Sequence, residues 1–157
     1  MVISTLSRTM QTREGSLEEA IALLCDIPEL QQGEALSYYA ARVADHPHIV
    51  LIAEIDGQPA GFKVGYALSC DHFYSWVGGV LPAYRKRGIA QFLLAAQEEW
   101  VWANGYQRIT VKTSHQFPAM VAMLEKNAYS RLPDQREKLV YCKTKTASGL
   151  LSSRING

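Results

Sequence analysis

Apolar residues follow two rhythms along this chain, and the change from one to the other marks out its elements. After a strand-like start at Val2 to Met10, Leu17, Ala20, Ile21 and Leu24 recur at helical spacing. Ser16 and Glu19 stand at the positions of a capping box, so a helix is expected to begin there. Pro28 interrupts that segment, and Leu36, Tyr39, Ala40 and Val43 fall in register for a second helix over Glu34 to Asp45. From His48 the period drops to two. Asp56-Gly57 splits "HIVLIAEIDGQPAGFKVGYAL" into the two arms of a hairpin. In its second arm Phe62, Val64, Tyr66 and Leu68 share one face, and Gly61, Lys63, Gly65 and Ala67 the other. The glycine face is thin enough for another backbone or a bulky group to lie close. "SCDH" reads as a turn and "FYSWVGGV" as the next strand.

The longest helical pattern follows, from Ile89 to Ala103, with Ile89, Phe92, Leu93, Ala96, Trp100 and Ala103 as its apolar stripe and Asn104-Gly105 as its stop. "RITVKTS" is a strand, "FPAMVAMLEKN" a short helix with Pro118 near its first position, and "KLVYCKT" a last strand. The order predicts an α/β domain of the α+β kind over 1–145, with helices on both faces of a mixed, mostly antiparallel twisted sheet. Residues 146–157 read as a loose tail.

Composition narrows the function classes. Nearly half of the 157 residues are apolar and a fifth are charged, the profile of a globular domain. The net charge of +1 argues against a general nucleic-acid field. Cys25, Cys70 and Cys142 are odd in number and lack C-x-x-C spacing, so neither a disulfide framework nor a metal site is expected; they read as buried or half-buried small apolar residues. No apolar run is long enough to span a membrane and no signal-peptide pattern opens the sequence, which makes a cytoplasmic setting the default.

Against this neutral background, "YRKRGIA" concentrates Arg85, Lys86 and Arg87 between a strand and a helix. The first amides of a helix lack intrahelical partners and its dipole adds positive potential, so a turn of this kind can hold phosphate. Gly88 lets a ligand come close and Ala90 keeps the next turn small. Neither the G-x-x-x-x-G-K-[ST] nor the G-x-G-x-x-G arrangement occurs, which disfavours nucleoside-triphosphate and dinucleotide folds. A nucleic-acid module built on "YRKRG" is weak, since no second basic patch accompanies it.

"VLPAYRKRGIAQFLL", Val80 to Leu94, resembles the acyl-coenzyme-A signature of the GNAT N-acetyltransferase superfamily, with Arg85, Gly88 and Ala90 at its fixed positions. The element order from Ser16 to Thr144 resembles that family as well. The resemblance implies an N-acyltransferase that moves an acetyl group from acetyl-coenzyme A to a primary amine of a small molecule or peptide by direct attack. It implies that Arg85, Lys86, Arg87, Gly88, Ile89 and Ala90 hold the donor's pyrophosphate. It implies too that the backbone of Gly78, Gly79 and Val80 pairs with the pantetheine arm, like an added strand. The acceptor would lie near Glu29, Glu34, Tyr38 and Tyr39. No metal is implied, and such domains often pair as homodimers.

The chain departs from the family where the chemistry is done. Leu124 stands at the position of the usual C-terminal tyrosine, Ala128 at that of a glycine, and no carboxylate lies on "FYSWVGGV". Candidates for the acid and base are Tyr74, His72, His115 and Tyr129, with Ser75 and Asp71 near them; an ordered water is a further option. Trp76, Trp100 and Trp102 read as core or association residues. These gaps support a second reading, a coenzyme-A-binding sensor with weak or lost chemistry.

Overall fold

The computed structural model describes residues 9–31 and 33–145. Seven strands are hydrogen-bonded in the order β1-β2-β3-β4-β5-β7-β6: β1 Met10–Glu14, β2 His48–Ile55, β3 Gln58–Ala67, β4 His72–Val80, β5 Arg108–Thr113, β6 Ser130–Gln135 and β7 Lys138–Thr144. Among the described residues, four α-helices accompany them: α1 Leu17–Leu24, α2 Leu36–Val43, α3 Ile89–Ala103 and α4 Pro118–Lys126. β1 with β2, β5 with β7 and β6 with β7 are antiparallel, whereas β4 and β5 run parallel. This is the mostly antiparallel α+β architecture expected from the element order. The expected tail at 146–157 and all but the end of the strand-like start lie outside the described residues.

The described residues gather into two units, one holding those up to Gly65 together with Val77–Gln97, the other Tyr66–Trp76 together with those from Glu98 on. In the first unit, local signals work as read. The Ser16 hydroxyl accepts from the Glu19 amide at 3.1 Å while the Glu19 carboxylate accepts from the Ser16 amide at 2.9 Å. Asp56 and Gly57 both have positive φ, 51° and 82°, which suits the two-residue turn joining β2 to β3. The thin face of β3 is explained by its neighbours. A Cβ on Gly61 would stand 2.8 Å from the Gly79 carbonyl oxygen and 3.3 Å from Ile89 of α3. On the other side, a Cβ on Gly79 would meet Ile27 at 2.7 Å and Leu30 at 2.9 Å. Helical segments therefore cover both faces of the sheet in this unit.

Burial corrects several sequence expectations. In α3 the buried residues are Ile89, Leu93, Leu94, Gln97 and Val101, so the stripe is rotated from the one predicted; Phe92 and Ala96 are half-buried and Ala103 is exposed. Gln97 is fully buried, and its amide has no hydrogen-bond partner among the described residues. In α2 only Tyr39 and Val43 are buried, while Leu36 is 39 % exposed. Cys25 and Cys70 are exposed rather than buried, because the first caps the end of α1 and the second lies in the turn before β4. β6 was not expected at all. Its six residues are exposed and include Pro133, which only an edge strand accommodates.

Gln97 yields a direct prediction. A buried amide without a partner costs about 1–3 kcal/mol, so Gln97→Met should raise the melting temperature by roughly 2–4 °C for each kcal/mol recovered. A lower melting temperature in calorimetry would show instead that the amide is satisfied by a group such as a bound water.

In the second unit, Phe73 packs on Trp100 and Tyr106, with ring centroids 5.6 and 5.2 Å apart. Asn104-Gly105 ends α3 as expected, Gly105 taking φ 90° and the Tyr106 amide donating to the Val101 carbonyl. No helix among the described residues is long and apolar enough to cross a membrane.

Candidate functional site

The basic turn is built from the end of β4 forward. The Leu81 amide donates to the Ala60 carbonyl at 2.8 Å, fixing the strand end, and Pro82–Tyr84 turns the chain through one 3-10 turn. Lys86 and Gly88 then take positive φ, 63° and 80°, with Arg87 between them on the ordinary side. Alternating handedness turns successive N–H groups toward one side and makes a concavity for an anion. α3 starts immediately afterwards, its first backbone bond running from the Phe92 amide to the Gly88 carbonyl. The preceding amides of Ile89 and Ala90 thus fall in the first turn, where the dipole favours negative charge. No atom lies within 4 Å of where a Gly88 Cβ would be, so its positive φ, rather than crowding, calls for glycine.

The three cations differ in what they touch. Arg85 grips the Glu29 carboxylate with both guanidinium ends, at 2.9 and 2.8 Å, and its Nε reaches the Val80 carbonyl at 3.4 Å. That fork holds the Glu29 carboxyl below its ordinary value and raises Arg85 above its own. Arg87 lies 5.6 Å over the Tyr84 ring. Lys86 is exposed at the left-handed corner. Gly78 and Gly79 are glycines because their own chain crowds them: besides Ile27 and Leu30 on Gly79, a Gly78 Cβ would sit 2.9 Å from the Phe62 carbonyl oxygen. Side-chain alternation along β4 also slips by one. Tyr74 and Trp76 pack edge-on against Tyr66, whereas Gly79 faces Phe62, which shares that face of β3. An extra residue between Trp76 and Gly79, a β-bulge, accounts for the slip.

Of the four residues expected around an acceptor, Glu29 is held by Arg85 and Glu34 is exposed. Tyr38 is 43 % exposed, and Tyr39 is buried against it edge-on at 5.2 Å. Burial, followed by the charge of Glu34, pushes the Tyr39 phenol up.

The second unit carries the candidates for proton transfer. The parallel register of β4 with β5 runs from His72↔Arg108 to Ser75↔Val111 and stops there, although β4 continues to Val80 and β5 to Thr113. The Ser75 hydroxyl, at that last rung, is buried and has no hydrogen-bond partner among the described residues. His72 Nε2 shares a hydrogen bond of 2.6 Å with Thr110 Oγ1, and burial, then the Arg108 charge, lowers its pKa below the usual imidazole range. Tyr74 is half-buried, with the Lys112 ammonium 5.4 Å from its ring centre. His115 is exposed in the loop between β5 and α4. Tyr129 is buried and donates to Glu98 at 2.7 Å, while Lys143 reaches both oxygens of that carboxylate at 3.2 Å. Burial and the Glu98 charge push the Tyr129 phenol far above its ordinary value. Leu124, in the usual tyrosine position, is completely buried. Neither the Arg85–Glu29 fork nor the Tyr129–Glu98–Lys143 cluster has a local sequence signal, since the partners lie tens of residues apart. Among the described residues, no group of three or more His, Cys, Asp or Glu is placed to hold a metal.

Comparison with known proteins gives the family and the fold. Residues 17–129 match the family model described as the acetyltransferase (GNAT) family. The chain is 30 % identical over 106 residues to an uncharacterized N-acetyltransferase, YhfO, of Bacillus subtilis, covering 64 % of this chain and 70 % of that one. It is 32 % identical over 81 residues to the L-2,4-diaminobutyric acid acetyltransferase of Nocardia farcinica, covering 50 % of this chain and 42 % of that one. Among solved structures, the PaiA N-acetyltransferase of Thermoplasma acidophilum in complex with coenzyme A shares the fold with a TM-score of 0.69 at 13 % identity, over 87 % of this chain and 99 % of that one.

Proposed function

This chain belongs to the acetyltransferase (GNAT) family, and from that premise we propose that it moves an acetyl group from acetyl-coenzyme A to a primary amine of a small molecule or peptide. The observation that carries the reading is the left-handed pair Lys86 and Gly88 running directly into the first turn of α3. That backbone offers several N–H groups to one pyrophosphate, with Arg85, Lys86, Arg87, Ile89 and Ala90 around it. The bulged end of β4 at Gly78–Val80 is the segment for the pantetheine arm, whose amides suit a strand-like partner.

In the reaction, the amine lone pair attacks the thioester carbonyl carbon, and the C–S bond breaks as the C–N bond forms. The nitrogen loses one proton, and the departing sulfur takes one. A thiolate whose acid has a pKa of about 8.5 leaves readily, so holding the two reactants in line and polarising the carbonyl with backbone amides can supply most of the acceleration. Of the side chains considered for the proton steps, Tyr129 is bound to Glu98 and His72 to Thr110. His115, exposed in the loop between β5 and α4, and Tyr74, half-buried on β4, are the candidates this reading favours. An amine acceptor is supported by the relative that acetylates a diamino acid; Glu29, Tyr38 and Tyr39 are proposed to line its approach. A cytoplasmic setting is part of the same proposal.

The test combines the protein with acetyl-coenzyme A and a panel of amines and follows thiol release, with coenzyme A binding measured by calorimetry. Binding with release on at least one amine supports the proposal, and absence of coenzyme A binding overturns it. The buried Leu124 favours one alternative, a coenzyme-A-binding sensor without turnover. Tight binding with no release on any amine would establish that instead.

A further inference from the structure

Arg85 is the cation with the strongest claim on a phosphate, yet its guanidinium is already filled. Both ends grip Glu29 in a bidentate fork, the arrangement that best matches guanidinium to a planar anion. Glu29 is not presented by a loose surface chain. It lies in the 3-10 turn Pro28–Leu30, whose flanking side chains Ile27 and Leu30 pack onto the Gly79 backbone. The Gln31 side-chain amide braces this turn by donating to the carbonyls of Leu24, Cys25 and Ile27 at 2.9, 3.1 and 2.9 Å. A carboxylate is thus held over the end of β4 by a built segment, at the mouth of the turn read above as the donor site.

We propose that Glu29 is an internal competitor for the donor's phosphates: it neutralises Arg85, and a ligand must bring enough negative charge to take the guanidinium from it. This makes Glu29 a residue that sets donor specificity. It narrows the preference for a thioester carrying a nucleotide diphosphate over one that ends at the pantetheine arm, because only the first has to displace it. Exchange on Arg85 also frees the Pro28–Leu30 turn from one of its ties to the donor turn, so donor binding is linked to the position of that segment. The inference rests on the donor-site reading given under the proposed function.

Glu29→Gln removes the competing charge and keeps the shape of the side chain. An exposed ion pair is worth at most about 1 kcal/mol, so coenzyme A should bind roughly three- to fivefold more tightly to the variant, with a steeper loss of affinity as salt is added. Acetyl-pantetheine, which carries no phosphate, should bind the variant and the parent protein equally, and Glu29→Asp, which keeps the charge, should stay near the parent for both ligands. Unchanged or weakened coenzyme A binding in Glu29→Gln overturns the competition. Equal weakening of both ligands also overturns it and assigns Glu29 a purely structural role. If the parent protein binds no coenzyme A, the donor-site reading falls, and this inference falls with it.

Discussion

Gly61→Val should be among the most damaging single substitutions in this protein. The added Cβ would stand 2.8 Å from the Gly79 carbonyl oxygen, with Ile89 and Leu93 at 3.3 and 3.4 Å. A side-chain tip can rotate away, but a strand carbonyl cannot move without carrying the end of β4 with it. Overpacking of this sort costs about 1–3 kcal/mol, occasionally more. The substitution should therefore lower the melting temperature by roughly 5–10 °C, at 2–4 °C per kcal/mol for a chain of this size. Because the displaced residue is Gly79, coenzyme A binding should weaken in the protein that still folds. A melting temperature within a degree or two of the parent would show that β3 and β4 slide apart freely, contrary to this packing.

Gly88→Trp is the counterpart, damaging to binding while sparing the fold. Nothing lies within 4 Å of the position a Cβ would take, so the side chain leaves the backbone into open space. The cost to stability is that of a non-glycine residue at φ 80°, about 1–2 kcal/mol. The ring instead fills the space in front of the α3 amides. Losing two charge-assisted hydrogen bonds at about 1.5 kcal/mol each corresponds to an affinity loss on the order of a hundredfold. Gly88→Ala separates the two effects, since it carries the same backbone strain with little bulk and should bind coenzyme A within a few-fold of the parent. Measuring calorimetric affinity for all three proteins decides the matter: unchanged affinity in the tryptophan variant removes this turn from the donor site.

Much of the architecture is legible in the sequence, and for local reasons. Ser16 with Glu19 starts α1, Asp56-Gly57 turns β2 into β3, Pro118 opens α4, and Asn104-Gly105 ends α3; each acts through its own backbone conformation or a bond to a near neighbour. The basic turn belongs with these, because Gly88 and the helix start that follows it form one short stretch of chain. β6 escaped notice for a physical reason: an exposed edge strand needs no alternation of apolar residues and tolerates Pro133. The stripe of α3 was misplaced because a polar residue, Gln97, occupies its buried face.

What remained hidden was everything decided by contacts between distant parts of the chain. Sequence alone located the basic turn ahead of α3 and the glycine at which its backbone bends. Only the tertiary structure decided that Arg85 serves Glu29, that the glycines of β4 make room for Ile27, Leu30 and the backbone of β3, and that Tyr129 is bound to Glu98. Local conformation is written in neighbouring residues, whereas the partner of a charge or a phenol depends on which far segment the fold brings within about 3 Å of it.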